Sequence, residues 1–372
     1  MKKLFYYFSL ILFVGLVACS NDDNDTVDPP FVGKYKDGTF ILNEGNMTTE
    51  NGSLIFISPQ GEVTDSAYWR VNGTELGGSS QDLFITNGKI YIISQDEGLA
   101  SSKYKSDGRL IVANAETLEK EVAYSSEISV LTKPTHVAVL GDNVFIRDGK
   151  GIYSFNTSTA ELKLIEGTSG ALKNRMAVVK NKVFVPANKS VLVLEAGKAA
   201  VSHKIELEAA VSGVIKTSDG NIFVSITSSP NNKILKINAD NYEVIKTNEV
   251  TEGKVSAGWG ATPGISAKGD VIYYGNASTK IYRHNFATGT SEFLVDSKTV
   301  SGLENTGMAY NNLAVHPITG EVYQTTIKAY GWDFLLNNIS VFNFDTTTPK
   351  LSVNYANYTH FPAGIFFTYD FR

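Results

Sequence analysis

The sequence predicts an all-β protein, a seven-bladed β-propeller, from three observations. The 372 residues include 18 Tyr, 20 Phe and 32 Gly but only 1 Cys and 4 Met, a composition that favours strands and tight turns over helices. Beyond Asp37, short alternating apolar runs are separated by clusters of Gly, Asn, Asp and Ser, and no long stretch has helical periodicity. A unit of four such runs recurs along the chain, which indicates a repeat architecture.

The repeat is clearest at the second strand of each unit, which follows a polar turn and pairs an aliphatic with an aromatic residue. These second strands include Phe40-Ile41, Ile90-Tyr91, Val144-Phe145, Val183-Phe184, Ile222-Phe223, Ile272-Tyr273 and Val322-Tyr323. Third strands are predicted at 151–155, 190–194, 233–237, 280–284 and 338–344. The units are spaced by roughly 40 to 55 residues, the spacing of four-stranded propeller blades. One propeller domain over residues 38–372 is therefore expected.

The two ends of this domain complement each other. The first unit starts at Thr39 without a first strand, and the chain closes with a single strand, Pro362 to Phe367. This last strand is expected to complete the first blade, because such closure removes exposed sheet edges. A linear solenoid would instead need polar capping units and would gain nothing from divided terminal strands.

The N-terminal residues are predicted to be an export signal. Lys2 and Lys3 precede an apolar run from Leu4 to Ala18, which suits a signal peptide over residues 1–18 and is short for a membrane span. The run ends at Cys19, the only cysteine, in a Leu-Val-Ala-Cys sequence that resembles the lipobox of bacterial lipoproteins. Cys19 is thus the expected lipidation site, and residues 19–37, which open with an acidic run, are an expected flexible tether.

Blade sequences give a resemblance to known propellers. Pro134 to Val139, Pro263 to Ala267 and Pro362 to Ile365 resemble the opening strands of the YncE-like and YVTN-type propeller families. The acidic run behind Cys19 is similar to the export signal of Bacteroidota lipoproteins, which implies a lipid-anchored protein on the outside of the outer membrane. The segments Phe40 to Asn46 and Phe361 to Phe367 resemble a narrower group, the surface lipoproteins of gut Bacteroidota. Some members of that group, the BtuG type, capture cobalamin for a TonB-dependent transporter.

A ring of side chains is predicted where the innermost strands begin, around the mouth of the axial channel. Counting back from each polar turn, this ring contains Asp82, His136, Arg175, Val214, Gly264, Asn312 and Gly364, preceded by Gln81, Thr135, Asn174, Gly213, Pro263, Asn311 and Ala363. The polar members can orient a polar ligand. They can equally satisfy one another and channel waters, and the residues alone leave both readings open.

Loops between second and third strands are expected to reach the same face. They contribute Asn43, Glu44, Asn46, Arg147, Asp148 and the insertion 328–333 with Tyr330 and Trp332, while Trp259 lies in the loop before a later blade. Exposed Tyr and Trp side chains supply the rigid amphipathic surface that a sugar or a corrin ring needs. Packing between blades is the other role open to them.

Several function classes are disfavoured. The net charge of −5 and the absence of a basic block argue against nucleic acid, and a single Cys excludes disulfides within the chain. The five histidines have no metal-ligand spacing, and no common helix-borne catalytic motif is present. We therefore expect a non-enzymatic protein without cofactor or metal, monomeric outside any transporter complex and attached to the membrane only through its lipid.

The expected function is capture of a nutrient, with a corrinoid implied by the BtuG resemblance, for delivery to a TonB-dependent outer-membrane transporter. Glycan binding, or protein interaction and adhesion, are the alternatives. A lyase or hydrolase would need His136 to meet Asp82 or Arg175 and the substrate within hydrogen-bond distance.

Overall fold

The computed structural model describes residues 35–258, 261–346 and 350–368, apart from the side chains of Asn311 and Asn312. The expected signal peptide, Cys19 and nearly all of the expected tether lie outside these residues. Within them the chain forms seven four-stranded antiparallel sheets, so the predicted all-β, seven-bladed propeller is confirmed.

The strands follow one another blade by blade. The first blade has β1 (Thr39–Asn43), β2 (Ser53–Ile57) and β3 (Val63–Thr64), followed by helix α1 (Ala67–Asn72). The second has β4 (Gly78–Thr86), β5 (Lys89–Asp96), β6 (Leu110–Asn114) and β7 (Lys120–Tyr124), and the third β8 (His136–Leu140), β9 (Asn143–Asp148), β10 (Gly151–Asn156) and β11 (Glu161–Leu164). The fourth has β12 (Ala177–Val179), β13 (Lys182–Ala187), β14 (Ser190–Leu194) and β15 (His203–Glu206).

The remaining blades repeat this order. The fifth has β16 (Ala210–Lys216), β17 (Ile222–Thr227), β18 (Asn232–Ile237) and β19 (Val244–Val250), and the sixth β20 (Ile265–Lys268), β21 (Val271–Gly275), β22 (Lys280–Asn285) and β23 (Thr290–Asp296). The seventh has β24 (Met308–Val315), β25 (Val322–Ile327), β26 (Asn337–Asn343) and β27 (Lys350–Ala356), and β28 (Pro362–Phe367) ends the chain's strands. Short 3₁₀ turns lie at Ser126–Ile128, Ser297–Thr299 and Gly331–Leu335. Every predicted second strand and third strand coincides with an observed one.

Ring closure follows the prediction. Strand β28 pairs antiparallel with β1, with Phe366 opposite Phe40 and Ile365 opposite Ile41, and so becomes the innermost strand of the first blade. The first blade is thereby joined to the seventh through a cluster that includes Ile41, Tyr323 and Phe367. Pairing with β28 covers the edge of β1 that would otherwise be exposed.

The core lies between the blades. Second strands such as β25 are buried along their length, whereas outermost strands such as β19 expose most of their residues. Period-two alternation places one set of apolar side chains on each sheet face, and both faces of a blade pack against neighbouring blades. Helix α1 is the element that the sequence patterns did not predict; it has six residues and ends at Gly73, whose φ of 69° suits glycine. Among the residues described, no helix has the length and apolar character needed to cross a membrane.

Candidate functional site

The innermost strands all run in the same direction and so define two faces. We call the face where they begin the top face and the face where they end the bottom face. The loops after β1, β9 and β25, which join second to third strands, reach the top face as predicted. The chain enters the first blade at the bottom face, where Gly38 N donates to the side-chain oxygen of Thr368 at 3.0 Å.

A pocket of about 510 Å³ opens on the top face between the first and seventh blades. We call it the top pocket. Five of the predicted residues line it: Glu44, Asn46, Gln81, Tyr330 and Trp332. The others that line it are Gly45, Met47, Thr48, Ser79, Gln95, Lys173, Tyr310, Gly331 and Phe361. Contributions thus come from the first, second and seventh blades and from the loop that leads into the fourth.

Glu44 is held in place by its backbone. Its N–H donates to Phe361 O at 2.7 Å, and its carbonyl accepts from Ser80 N at 3.2 Å, so it is tied to β28 and to the second blade. The turn continues through Gly45, whose φ is 77° and where an added Cβ would lie 2.2 Å from Asn51 O. Only glycine fits this close approach. The loop that presents Glu44 is therefore rigid.

An aromatic wall closes one side of the top pocket. Tyr310 and Tyr330 meet edge to face at 6.2 Å between ring centroids, and Phe361 lies 5.7 Å from Tyr310. Behind them, the fully buried Phe334 stacks on Phe361 at 4.3 Å and anchors the 3₁₀ turn that carries Trp332. Trp332 itself is 70% exposed and Tyr330 48% exposed. These two rings stand at the rim with surface available to a ligand.

Charged groups lie across from this wall. The Tyr310 hydroxyl donates toward Glu44, at 3.4 Å from each carboxylate oxygen, and burial together with the charge of Glu44 raises the pKa of Tyr310. Burial lowers the pKa of the Lys173 ammonium below its usual value, while the negative charge of Glu44 opposes this shift. The pocket therefore offers an acceptor and a donor of opposite charge beside an apolar wall.

The polar side chains of the predicted axial ring bond to one another and to the backbone of the protein. Arg175 Nε lies 3.2 Å from Asp82 Oδ1, and Asp82 Oδ2 accepts from Val137 N at 3.1 Å. Burial raises the pKa of the Asp82 carboxyl, and Arg175 opposes that shift. Arg175 also donates through Nη2 to Ala363 O at 3.1 Å. These contacts link the fourth, second and first blades across the axis.

Both ring nitrogens of His136 are also within hydrogen-bond distance of other side chains. Its Nδ1 lies 3.0 Å from the Thr135 hydroxyl and its Nε2 lies 3.0 Å from the Thr262 hydroxyl of the sixth blade. Burial and the positive charge of Arg175 hold the pKa of His136 well below its ordinary value, so the imidazole is neutral at pH 7. His136 and Asp82 are both 2% exposed and lie outside the top pocket.

Other predicted residues stabilise the loops through hydrogen bonds to neighbouring segments. Buried Asn43 donates to Ser53 Oγ at 3.0 Å and accepts from His360 N at 3.1 Å. Arg147 donates to Ala171 O at 3.3 Å, and Asp148 is buried and accepts from Lys133 N at 2.7 Å. Trp259 and the side chains of Asn311 and Asn312 lie outside the described residues.

The sequence patterns missed three residues of the top pocket that matter: Met47, Lys173 and Tyr310. Met47 is 75% exposed in the turn after Glu44. Tyr310 is displaced by a register shift in β24 between Ala309 and Leu313, so counting back from the turn could not place it. Lys173 lies two residues before Arg175 in the loop that leads into the fourth blade, and only the folded ring brings it into the same pocket as Glu44. Within the described part of the chain, no cluster of His, Cys, Asp or Glu has the geometry of a metal site.

The chain belongs to the DUF5074 family, described as a domain of unknown function, whose model matches residues 37–368. No curated protein matches the chain. The family assignment thus covers the whole propeller and carries no activity with it.

Solved structures share the fold at low sequence identity. A quinonprotein alcohol dehydrogenase-like protein from Bacteroides thetaiotaomicron is 15% identical, with 90% of this chain and 79% of that chain covered and a TM-score of 0.64. A 6-phosphogluconolactonase-like protein from Bacteroides fragilis is 12% identical, with 89% and 98% covered and a TM-score of 0.58. Virginiamycin B lyase from Staphylococcus aureus is 10% identical, with 79% and 91% covered and a TM-score of 0.52. At these identities the likeness concerns the fold alone.

Proposed function

We propose that this protein is a non-enzymatic binding protein that captures a nutrient in the top pocket. The observation that carries the proposal is the exposed pair Tyr330 and Trp332, supported from behind by buried Phe334 and facing Glu44 and Lys173. A Trp ring that is 70% exposed on a pocket rim loses water contact favourably when a ligand with an apolar face covers it. The polar groups opposite would then fix the orientation of the ligand.

A corrinoid is the first candidate ligand. Its broad ring has apolar faces and a rim of amide groups, which suits an aromatic wall opposite Glu44, Gln81 and Lys173. The segments Phe40 to Asn46 and Phe361 to Phe367 resemble surface lipoproteins of gut Bacteroidota, a group that includes the cobalamin-capturing BtuG type, which supports the same choice. Both segments border the top pocket, through Glu44 and Phe361. A glycan is the second candidate, because exposed Tyr and Trp rings beside amide side chains also suit sugar stacking.

Binding is favoured over catalysis by the state of the axial residues. Both nitrogens of His136 are hydrogen-bonded to threonine hydroxyls, and both oxygens of Asp82 are taken by Arg175 and Val137. A general acid or base must reach a substrate atom, and neither group lies in the top pocket. A lyase or hydrolase that used them would need a rearrangement of the ring.

We further propose that the protein is lipidated at Cys19, faces the cell exterior and passes its ligand to a TonB-dependent transporter. The chain enters the propeller at the bottom face, so an anchor at Cys19 would leave the top pocket facing away from the membrane. Tyr35 is already packed in the core of the propeller. At ~3.3–3.6 Å per residue, the 16 residues from Cys19 to Lys34 would reach about 55 Å. That reach would let the propeller meet a transporter in the same membrane.

Calorimetric titration with cyanocobalamin, followed by a panel of soluble oligosaccharides, tests the proposal. Trp332→Ala should weaken binding of the true ligand about tenfold or more, because it removes a central contact at the rim. Phe293→Ala is the matched control, since Phe293 is an exposed aromatic residue (48%) on the outermost strand of the sixth blade.

The outcomes separate the candidates. Saturable one-to-one binding of cyanocobalamin that Trp332→Ala weakens and Phe293→Ala does not would support corrinoid capture. The same pattern with an oligosaccharide alone would replace the corrinoid by a glycan. Binding that both variants leave unchanged would reject the top pocket as the site.

A further inference from the structure

A second cavity lies below the ring of axial residues and is separate from the top pocket. We call it the central channel. It has a volume of about 240 Å³ and starts at the Asp82–Arg175 pair. From there it reaches the last residues of three innermost strands, Lys216, Val315 and Phe367, at the bottom face. The two cavities thus open on opposite faces.

The walls of the central channel are mostly apolar, with Ser266 as a polar residue in the wall and Lys216 at the bottom rim. They include Phe84, Val178, Ile215, Ala267, Val315 and Phe366, each contributed by an innermost strand. Such walls favour a ligand with an apolar body, because its burial removes hydrocarbon surface from water.

The inner end of the central channel is formed by the guanidinium of Arg175, which has hydrogen-bond donors beyond those that its protein partners use. The Arg175 side chain is 32% exposed and lines this channel. Its Nε is taken by Asp82 and its Nη2 by Ala363 O, whereas no residue among those described accepts from its Nη1. Both oxygens of Asp82 are already engaged. The polar group offered to a ligand is therefore a cationic donor.

The chain makes specific room for this guanidinium. It lies 4.7 Å from the centroid of the Phe366 ring, and an added Cβ at Gly364 would approach Arg175 Nη2 to 2.1 Å. A side chain at Gly364 would displace the guanidinium, so glycine here allows Arg175 to cross the axis. Strands β4 and β28 thus fix the position of the cation at the end of the central channel, through Asp82 and through Ala363, Gly364 and Phe366.

The volume sets the size of the ligand. An apolar cavity of about 150 Å³ holds benzene, with its six carbon atoms. By that proportion the central channel holds about ten non-hydrogen atoms. We propose that the central channel is a second binding site for a small monocarboxylate with an aliphatic body, such as a medium-chain fatty acid. Its carboxylate accepts from Arg175 and its chain points toward the bottom face.

Titration of the purified protein with octanoate, measured by calorimetry or ligand-observed NMR, tests this proposal. Octan-1-ol is the control ligand that lacks the carboxylate charge, and butanoate is the control ligand with a shorter apolar chain. Octanoate should bind one-to-one and at least tenfold more tightly than either, because only octanoate offers both the charge and the apolar length. No saturable binding at millimolar octanoate, or equal binding of octanoate and octan-1-ol, would overturn the proposal.

Two variants locate the binding. Ala267→Leu narrows the channel without changing a charge and should reduce octanoate affinity at least tenfold, with Val178→Phe as a second filling variant should the first not fold. The double change Asp82→Asn with Arg175→Gln should abolish the preference for octanoate over octan-1-ol. Trp332→Ala, at the top pocket, should leave octanoate binding unchanged. Octanoate binding that survives a folded filling variant, or that Trp332→Ala weakens, would place the ligand elsewhere and refute the channel site.

Discussion

Closure of the ring by β28 leads to a quantitative prediction for Phe367. This side chain is 2% exposed and lies in the cluster that joins the first and seventh blades. Its ring centroid is 5.3 Å from that of Tyr323 and 5.0 Å from that of His316. Phe367→Ala removes these contacts between the closing strand β28 and the seventh blade.

The size of the effect follows from burial. Replacing a buried Phe by Ala costs about 3–5 kcal/mol in the free energy of unfolding, through lost transfer energy and a residual cavity. At ~2.1 cal/mol/K per residue, about 330 residues of propeller have an unfolding entropy of about 0.7 kcal/mol/K. The melting temperature should therefore fall by about 4–7 °C.

Calorimetric unfolding of the wild type, Phe367→Ala and Phe293→Ala checks this estimate. Phe293 lies on outermost strand β23 and keeps one aromatic contact, to Tyr282 at 5.6 Å. Its replacement should cost about 1 kcal/mol, or under about 2 °C. Equal shifts for the two variants would refute the argument that the closing strand contributes to the stability of the whole ring.

Two further predictions concern pH and the rim loop. His284 is buried, its Nε2 accepts from Asn248 Nδ2, and burial lowers its pKa to about 4. The unfolded chain therefore takes up this proton first, and the free energy of unfolding should fall as the pH drops from about 6.5 toward 4. Urea midpoints should show this loss of stability, and the loss should be smaller in His284→Gln. At Gly307 an added Cβ would lie 1.7 Å from Lys328 O. Gly307→Ala should therefore displace the loop that carries Trp332. The melting temperature should fall by several degrees, and binding in the top pocket should weaken. Gly275→Ala, where an added Cβ meets nothing within 4 Å, should do neither.

Much of the fold could be predicted from the sequence because the pattern is repeated. Each second strand follows a polar turn and starts with an apolar pair, so seven weak local signals reinforce one another, as at Val183-Phe184 and Ile222-Phe223. The divided first blade was predictable for the same reason, since Thr39 and Phe367 complete one repeat. Helix α1 was not, because six residues in a connection carry no periodicity that separates them from a loop.

The candidate site was predicted only in part, because a pocket depends on distances between blades. Glu44, Tyr330 and Trp332 stand in loops whose position in the repeat places them on the top face. Tyr310 does not, since the register shift in β24 breaks the alternation on which counting depends. Lys173 reaches Glu44 only across the ring, a distance that no local pattern encodes.

The axial residues separate the top pocket from the central channel. Gln81 lines the top pocket while its neighbour Asp82 lines the central channel, and Lys173 and Arg175 are divided in the same way. The Asp82–Arg175 pair thus forms the partition between them. Opening this pair is costly, because the Asp82 carboxylate is buried and would lose its cationic partner. Ligands at the two sites should therefore bind independently, with octanoate leaving the affinity of the top pocket unchanged; coupling between the sites would mean that the pair opens, and that the propeller has a continuous axial passage.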